Sequence, residues 1–362
     1  MNVPASSTLL LSAPGALFQG FFFSRLPAPG AQTQIPASPT MSLSSLNLTV
    51  ARDPGRSLPV LNLVSSHFSA GSVTASVAPL KTHAPAQVPA RTLAAPLPVS
   101  ATTLPLPTRP ANAPSGSAFL NQIQGLNRAQ REEAFLKQIL SGNVPDHLRH
   151  FKEIEVSAKG GDGQMHTATV RVLPDYLAIG SNQDYTLVPM SPLTAQKIAD
   201  ALKTDTQPAP LLPTRKLVNE IYKAAEVKLQ PSPKTPGPQM MSTPYYAAHD
   251  AKIRQQRQQA GASDGNLISG HKKDMVLSNL LDQKPQRVAI YGWHQLNGKA
   301  IQPLSTVHED TYADYSHGAR LIGGTVRVDG VERPTAEVLH DANLASLLSD
   351  EGPIRNTRIK LR

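Results

Sequence analysis

Three histidines, His294, His308 and His317, follow one another with the spacing His-x13-His-x8-His. Trp293, the single tryptophan, precedes the first of them, and Tyr291 stands two residues earlier. The block HEDTYADYSHG (308–318) adds Asp310, Tyr312, Asp314, Tyr315 and Ser316. A neutral imidazole can bind a divalent metal or carry a proton near neutral pH. A carboxylate such as Asp314 or Asp310 completes a metal shell or orients an imidazole from behind. Three protein ligands plus water make the open arrangement that turns water into a nucleophile. His294, His308 and His317 are therefore candidate ligands for a divalent metal such as zinc. With Asp314 and Tyr315 they are also candidate catalytic residues, and Trp293, Tyr312 and Tyr291 are candidates for the substrate wall. The spacing matches no metalloprotease signature, and HExxH does not occur. Taken singly, each histidine is as well explained as a strand-end residue bonded to backbone; the clustering is what favours a site.

A second patch, GHKKD (270–274), holds His271 and Lys273 at the same strand parity, so both could face the site with Lys272 and Asp274 opposite. A lysine there could bind an anionic substrate group; the plain alternative is a charged strand edge that discourages aggregation. Ser316 could be a nucleophile with a nearby histidine as base. Its neighbour His317 would point to the other face of a strand, and no GxSxG elbow occurs. The glycine turns lack the following Lys-Ser or Lys-Thr helix of a phosphate-binding loop. With no cysteine, disulfides, thiolate nucleophiles and cysteine-ligated metals are excluded together.

Seventeen of the 33 prolines precede residue 115, among Ser, Ala and Thr. Such a segment buries too little apolar surface to offset its ordering entropy, so residues 1–116 are expected to be a disordered tail. Residues 117–145 are expected to be a helical segment, able to dock or to remain an arm, and 146–362 the globular domain. The formal charge is +9, yet residues 1–131 carry eight Lys or Arg and one acid. The excess thus lies in scattered tail arginines rather than in a stripe, which disfavours nucleic acid as a partner. No apolar run reaches the length of a spanning helix. The first residues lack the basic start and unbroken core of a Sec signal; acid-free and Ser-rich, they look like the export leader of a type III secreted effector.

The elements that must position these residues are legible in part. KEIEVSAK, GGDG and QMHTATVRVL read as a hairpin. Ser191-Pro192 and Thr214 each open a helix, LVNEIYKAA carries an apolar stripe, and Gly261 closes a third helix. From residue 267 the chain alternates as strands do, and Asn297-Gly298 marks a hairpin that brings the strand after His294 back beside it. A last helix, AEVLHDANLASLLSD, closes the chain. Helices and strands are segregated rather than alternating, which predicts an α+β fold with a mainly antiparallel sheet.

The blocks LPDYLAIGS, GHKKD, IYGWH and YADYSHG resemble a group of uncharacterised bacterial proteins, many of them exported. The likeness covers about residues 150–355; it implies that residues 1–115 are an added extension, and it brings no catalytic assignment. Together these readings point to a secreted bacterial hydrolase, metal-dependent or not, acting on a cell-wall, peptide or glycan substrate. The alternatives are a secreted binding module and an effector that passes through secretion machinery to meet a host protein.

Overall fold

Local capping sets the first elements of the computed structural model, which describes residues 102–361. Ser115 caps α1 (Gly116–Gln122) by accepting from the Ala118 amide. Gly125, at φ 77°, breaks what composition read as one helix. Asn127 then starts α2 (Arg128–Leu140) with a reciprocal capping box to Gln130. The segment is no free arm: Phe119, Ile123, Phe135 and Ile139 are buried in the main core, with the two phenyl rings 6.0 Å apart.

The expected disorder of residues 1–101 lies outside the described residues. Residues 102–116, drawn into the same tail by their prolines, are instead docked. Leu104 is buried, its amide donates to the Arg149 carbonyl at 2.7 Å, and the Phe151 amide donates to Thr102. The Arg109 guanidinium holds Asn143 Oδ1 at 2.8 Å and the Gly180 carbonyl at 3.2 Å. A few specific bonds outweigh the composition of the window here.

The predicted hairpin forms as β1 (Lys152–Lys159) and β2 (Met165–Val172). Buried β3 (Ala178–Gly180) and β4 (Tyr185–Leu187) pair with each other. Helices α3 (Pro192–Ala201) and α4 (Arg215–Ala224) start where Ser191 and Thr214 predict; each cap oxygen accepts a backbone amide three residues on. Short β5 (Val227–Lys228), α5 (Thr243–Gln259), β6 (Ile268–Ser269) and β7 (Lys273–Met275) follow. Then come β8 (Ile290–His294), β9 (Ala300–Ser305), β10 (His317–Gly318), β11 (Ile322–Val328) and β12 (Val331–Pro334). The single closing helix expected from sequence is two, α6 (Thr335–His340) and α7 (Ala345–Leu348).

The fold is α+β with mainly antiparallel sheets, as predicted. One four-stranded sheet runs β1-β2-β11-β12, and a second runs β10-β7-β8-β9. The second positions the chemistry: β8 and β9 form the Asn-Gly hairpin, while β10 pairs parallel to β7 with His317 opposite Lys273. Among the described residues, no helix is long and apolar enough to cross a membrane.

Candidate functional site

The structure divides the predicted constellation into two groups. The cause is a kink in β8, where Gly292 at φ 105° is followed by Trp293 at φ 56°, a left-handed conformation that only glycine adopts at low cost. The kink interrupts the alternation of side chains along the strand. Trp293 packs with the β7 side, its Nε1 donating to the His271 carbonyl at 3.0 Å and its ring centre 5.1 Å from Lys273 Nζ. His294, one residue on, lies against α4, where Nε2 meets Asn219 Oδ1 at 3.0 Å and the ring stacks on Tyr222 at 4.5 Å.

The first group gathers on Asp314. Its Oδ1 accepts from the Ser316 amide at 2.8 Å and the Ser316 hydroxyl at 2.5 Å. Oδ2 accepts from the Tyr312 phenol at 3.1 Å, with Lys273 Nζ at 3.8 Å and His317 Nε2 at 4.0 Å. His308 stacks on Tyr312 with ring centres 4.0 Å apart, and both are half-buried at the rim. The loop that carries them is pinned along its length. Val288 donates to the His308 carbonyl, Asp310 to Gln286, Tyr315 to Met240, and the Tyr246 hydroxyl to Ala313.

Burial pushes His317 down to about 4, partly offset by the Asp314 charge, so its imidazole is neutral at pH 7. Among the described residues, neither of its ring nitrogens has a hydrogen-bond partner. Burial also lowers His308. For Asp314 burial acts upward, but neighbouring positive charge and the two Ser316 hydrogen bonds outweigh it and hold the carboxyl below its ordinary range. The neighbouring charges are those of His317, which contributes only in acid, and Lys273. Burial and the adjacent carboxylate raise Tyr312, keeping it a phenol. The arrangement can thus hold and move protons beside an anionic carboxylate.

The remaining predicted residues lie elsewhere. Tyr315 is buried, its hydroxyl accepting the Lys234 amide at 2.6 Å and its ring walled by Trp293 and His249, so it is part of the frame. His271 does not share the site with Lys273. β7 begins only at Lys273, so strand parity does not reach back to residue 271, and His271 Nε2 binds Asp175 Oδ1 at 3.0 Å in a buried network. Tyr291 belongs with His294, its hydroxyl donating to Asn219 Oδ1 at 2.9 Å. Ser316 is bound to Asp314 and is no free nucleophile.

His294, His308 and His317 are not one ligand set. Among the described residues, no group of three or more His, Asp or Glu is placed to hold a metal ion. Asn219 and Tyr222 were missed by sequence reading. They sit on α4, 75 and 72 residues before His294; Tyr222 reads as part of the apolar stripe of that helix, and the only signal for Asn219 is its place on the polar edge beside it. Compared with known proteins, the chain matches no family model, no curated protein and no solved structure.

Proposed function

We propose that the chain is an exported bacterial hydrolase that cleaves an acyl bond in a cell-wall, peptide or glycan substrate by proton transfer at the Asp314 group. One observation carries the reading: Tyr312, Lys273 and His317, from a loop and two strands, converge on a single carboxylate oxygen beneath the accessible His308. Buried titratable groups whose environments drive them in different directions are the usual setting of acid–base chemistry. His308 takes a proton from water as its oxygen bonds to the acyl carbon, then returns that proton to the leaving group as the acyl bond breaks. Lys273 Nζ faces the oxyanion that develops between these steps, and Asp314 holds Lys273 and Tyr312 in place. Export is the reading favoured by the acid-poor N-terminal composition, by the absence of cysteine and by the resemblance of the blocks to a group of bacterial proteins, many of which are exported.

The test is product release, read by mass spectrometry, from a panel of peptidoglycan fragments, peptides and acylated glycans. His308→Ala and Lys273→Ala should each lower turnover by about 10²-fold or more. His294→Ala, outside the group, should leave it unchanged. Full turnover in both of the first two variants would end the assignment. No turnover of any panel member by the wild-type chain would favour the second reading, a secreted binding module or host-delivered effector, which is supported by the polar cleft at His294.

A further inference from the structure

The cleft between α4 and the β8–β9 hairpin, about 840 Å³ in volume, plays no part in the proton chemistry above. Its size suits a small ligand of a few rings. Asn219 Oδ1 can only accept, and it takes two hydrogen bonds, from the Tyr291 hydroxyl at 2.9 Å and from His294 Nε2 at 3.0 Å. That fixes the His294 tautomer with the proton on Nε2. Burial pushes the imidazole down to about 4, so it is neutral at pH 7. His294 is 2% exposed and lines the cleft, yet its Nδ1 lone pair has no partner among the described residues and is not sealed from the surface. Asn219 Nδ2 is likewise unpaired among the described residues. The floor therefore offers one acceptor that needs an N–H or O–H and one donor that needs a lone pair.

The mouth is cationic. Lys216 and Lys223 share one oxygen of Glu220, at 3.3 and 3.0 Å. Lys228 donates to the Lys223 and Ala225 carbonyls at the end of α4 and lies 5.5 Å from the centre of the Tyr222 ring, with no carboxylate partner among the described residues. The other acid of the lining, Asp350, is taken by Arg215 at 2.9 Å. Three lysines thus face one available carboxylate.

We propose that this cleft binds an acidic saccharide, with ring hydroxyls on His294 Nδ1 and Asn219 Nδ2 and the sugar carboxylate against the lysines. A hydroxyl both donates and accepts, as the floor requires, whereas a carboxylate or fully ionised phosphate alone gives Nδ1 no proton. The inference is independent of the hydrolase reading, because binding is measured without turnover.

Isothermal titration calorimetry of the full chain should detect a short oligogalacturonate. The methyl-esterified oligomer should bind about tenfold more weakly or worse, since it loses the charge-assisted contacts. His294→Ala and Asn219→Leu should abolish binding, and Lys223→Ala should weaken it several-fold. Lys223, 69% exposed, can be changed without disturbing the fold, so it carries the test should the floor variants unfold. His308→Ala should bind as wild type does. The proposal is overturned if oligogalacturonate gives no heat, if the esterified form or polyglutamate binds as tightly, or if folded His294→Ala or Lys223→Ala binds like wild type.

Discussion

His249 on α5 is 1% exposed, lies edge-on to Tyr315 with ring centres 4.8 Å apart, and has no hydrogen bond to either nitrogen among the described residues. Burial pushes its pKa down to about 2, with the charges of Lys272, His271 and Lys234 acting in the same direction. Unfolded, the same imidazole takes up a proton near 6.5. Between those values the unfolded chain binds a proton that the native chain refuses, so stability is complete above the unfolded pKa and falls as pH falls through this window. Each pH unit is worth about 1.4 kcal/mol, so at pH 4.5 this one residue removes about 3 kcal/mol. That is a substantial share of a domain's typical stability of about 5–15 kcal/mol.

His249→Leu keeps the volume and abolishes the titration. Urea unfolding can be followed by the fluorescence of Trp293, the only tryptophan and a buried one. Any packing difference is an offset independent of pH. The gap between variant and wild type should be flat above pH 7 and should turn toward the variant by about 3 kcal/mol at pH 4.5. Burial lowers other histidines, among them His271 and His294, and these steepen the wild-type curve. They are common to both proteins and cancel in the difference. Parallel curves from pH 7 to 4.5 would refute the reasoning, since His249 would then be charging in the native state.

Gly318→Ala should be severe. A Cβ there would meet Tyr176 Cδ1 at 2.3 Å, and that ring is held by its hydroxyl bond to Asp274 at 2.8 Å and by the Arg320 guanidinium 4.5 Å above it. A loss of about 3 kcal/mol is expected, and a melting temperature within a degree of wild type would contradict it. Asp175→Ala removes the partner of Arg257 at 2.7 Å and of His271 at 3.0 Å, all three being buried. It should cost about 3–5 kcal/mol in chemical denaturation, with much of the loss recovered by adding Arg257→Met. A single-variant cost below about 1 kcal/mol would show that water reaches the pair.

The legible parts of this chain are those whose determinants are adjacent in sequence. Ser191-Pro192, Thr214 and Asn297-Gly298 fix their own elements, and the alternation of 152–172 fixes its hairpin. The cluster in 308–317 was legible because a tight loop keeps Tyr312, Asp314 and His317 together, and Lys273 proved to be its neighbour. What failed depends on distant partners or on one dihedral angle. Nothing in IYGWH announces a positive φ at Trp293, yet the kink there separates His294 from the other two histidines. Leu104 and Arg109 failed for the opposite reason: averaging over a proline-rich window hides two residues that find partners at Arg149 and Asn143.

Distant partners also account for the burial of GHKKD. Four consecutive ionisable residues lie inside the protein, held from two segments: His271 and Asp274 by the adjacent Asp175 and Tyr176, Lys272 by the Tyr315 carbonyl at 2.8 Å, and Lys273 beside Asp314, with the Trp293 ring over it. Burial pushes Lys272 down to about 8 and Asp274 up to about 7, so their charged forms are disfavoured inside the fold. Well-packed apolar residues of the same volume would be as stable or more so. What apolar packing would lack is register. A two-residue pairing between β7 and β10 is too short to fix itself. Polar partners in both segments leave one position for the strand, and that position brings Lys273 Nζ to 3.8 Å from Asp314. The stability given up in burying these groups is therefore tied to holding one amine beside one carboxylate, which the proposed proton transfer would require and an inert core would not.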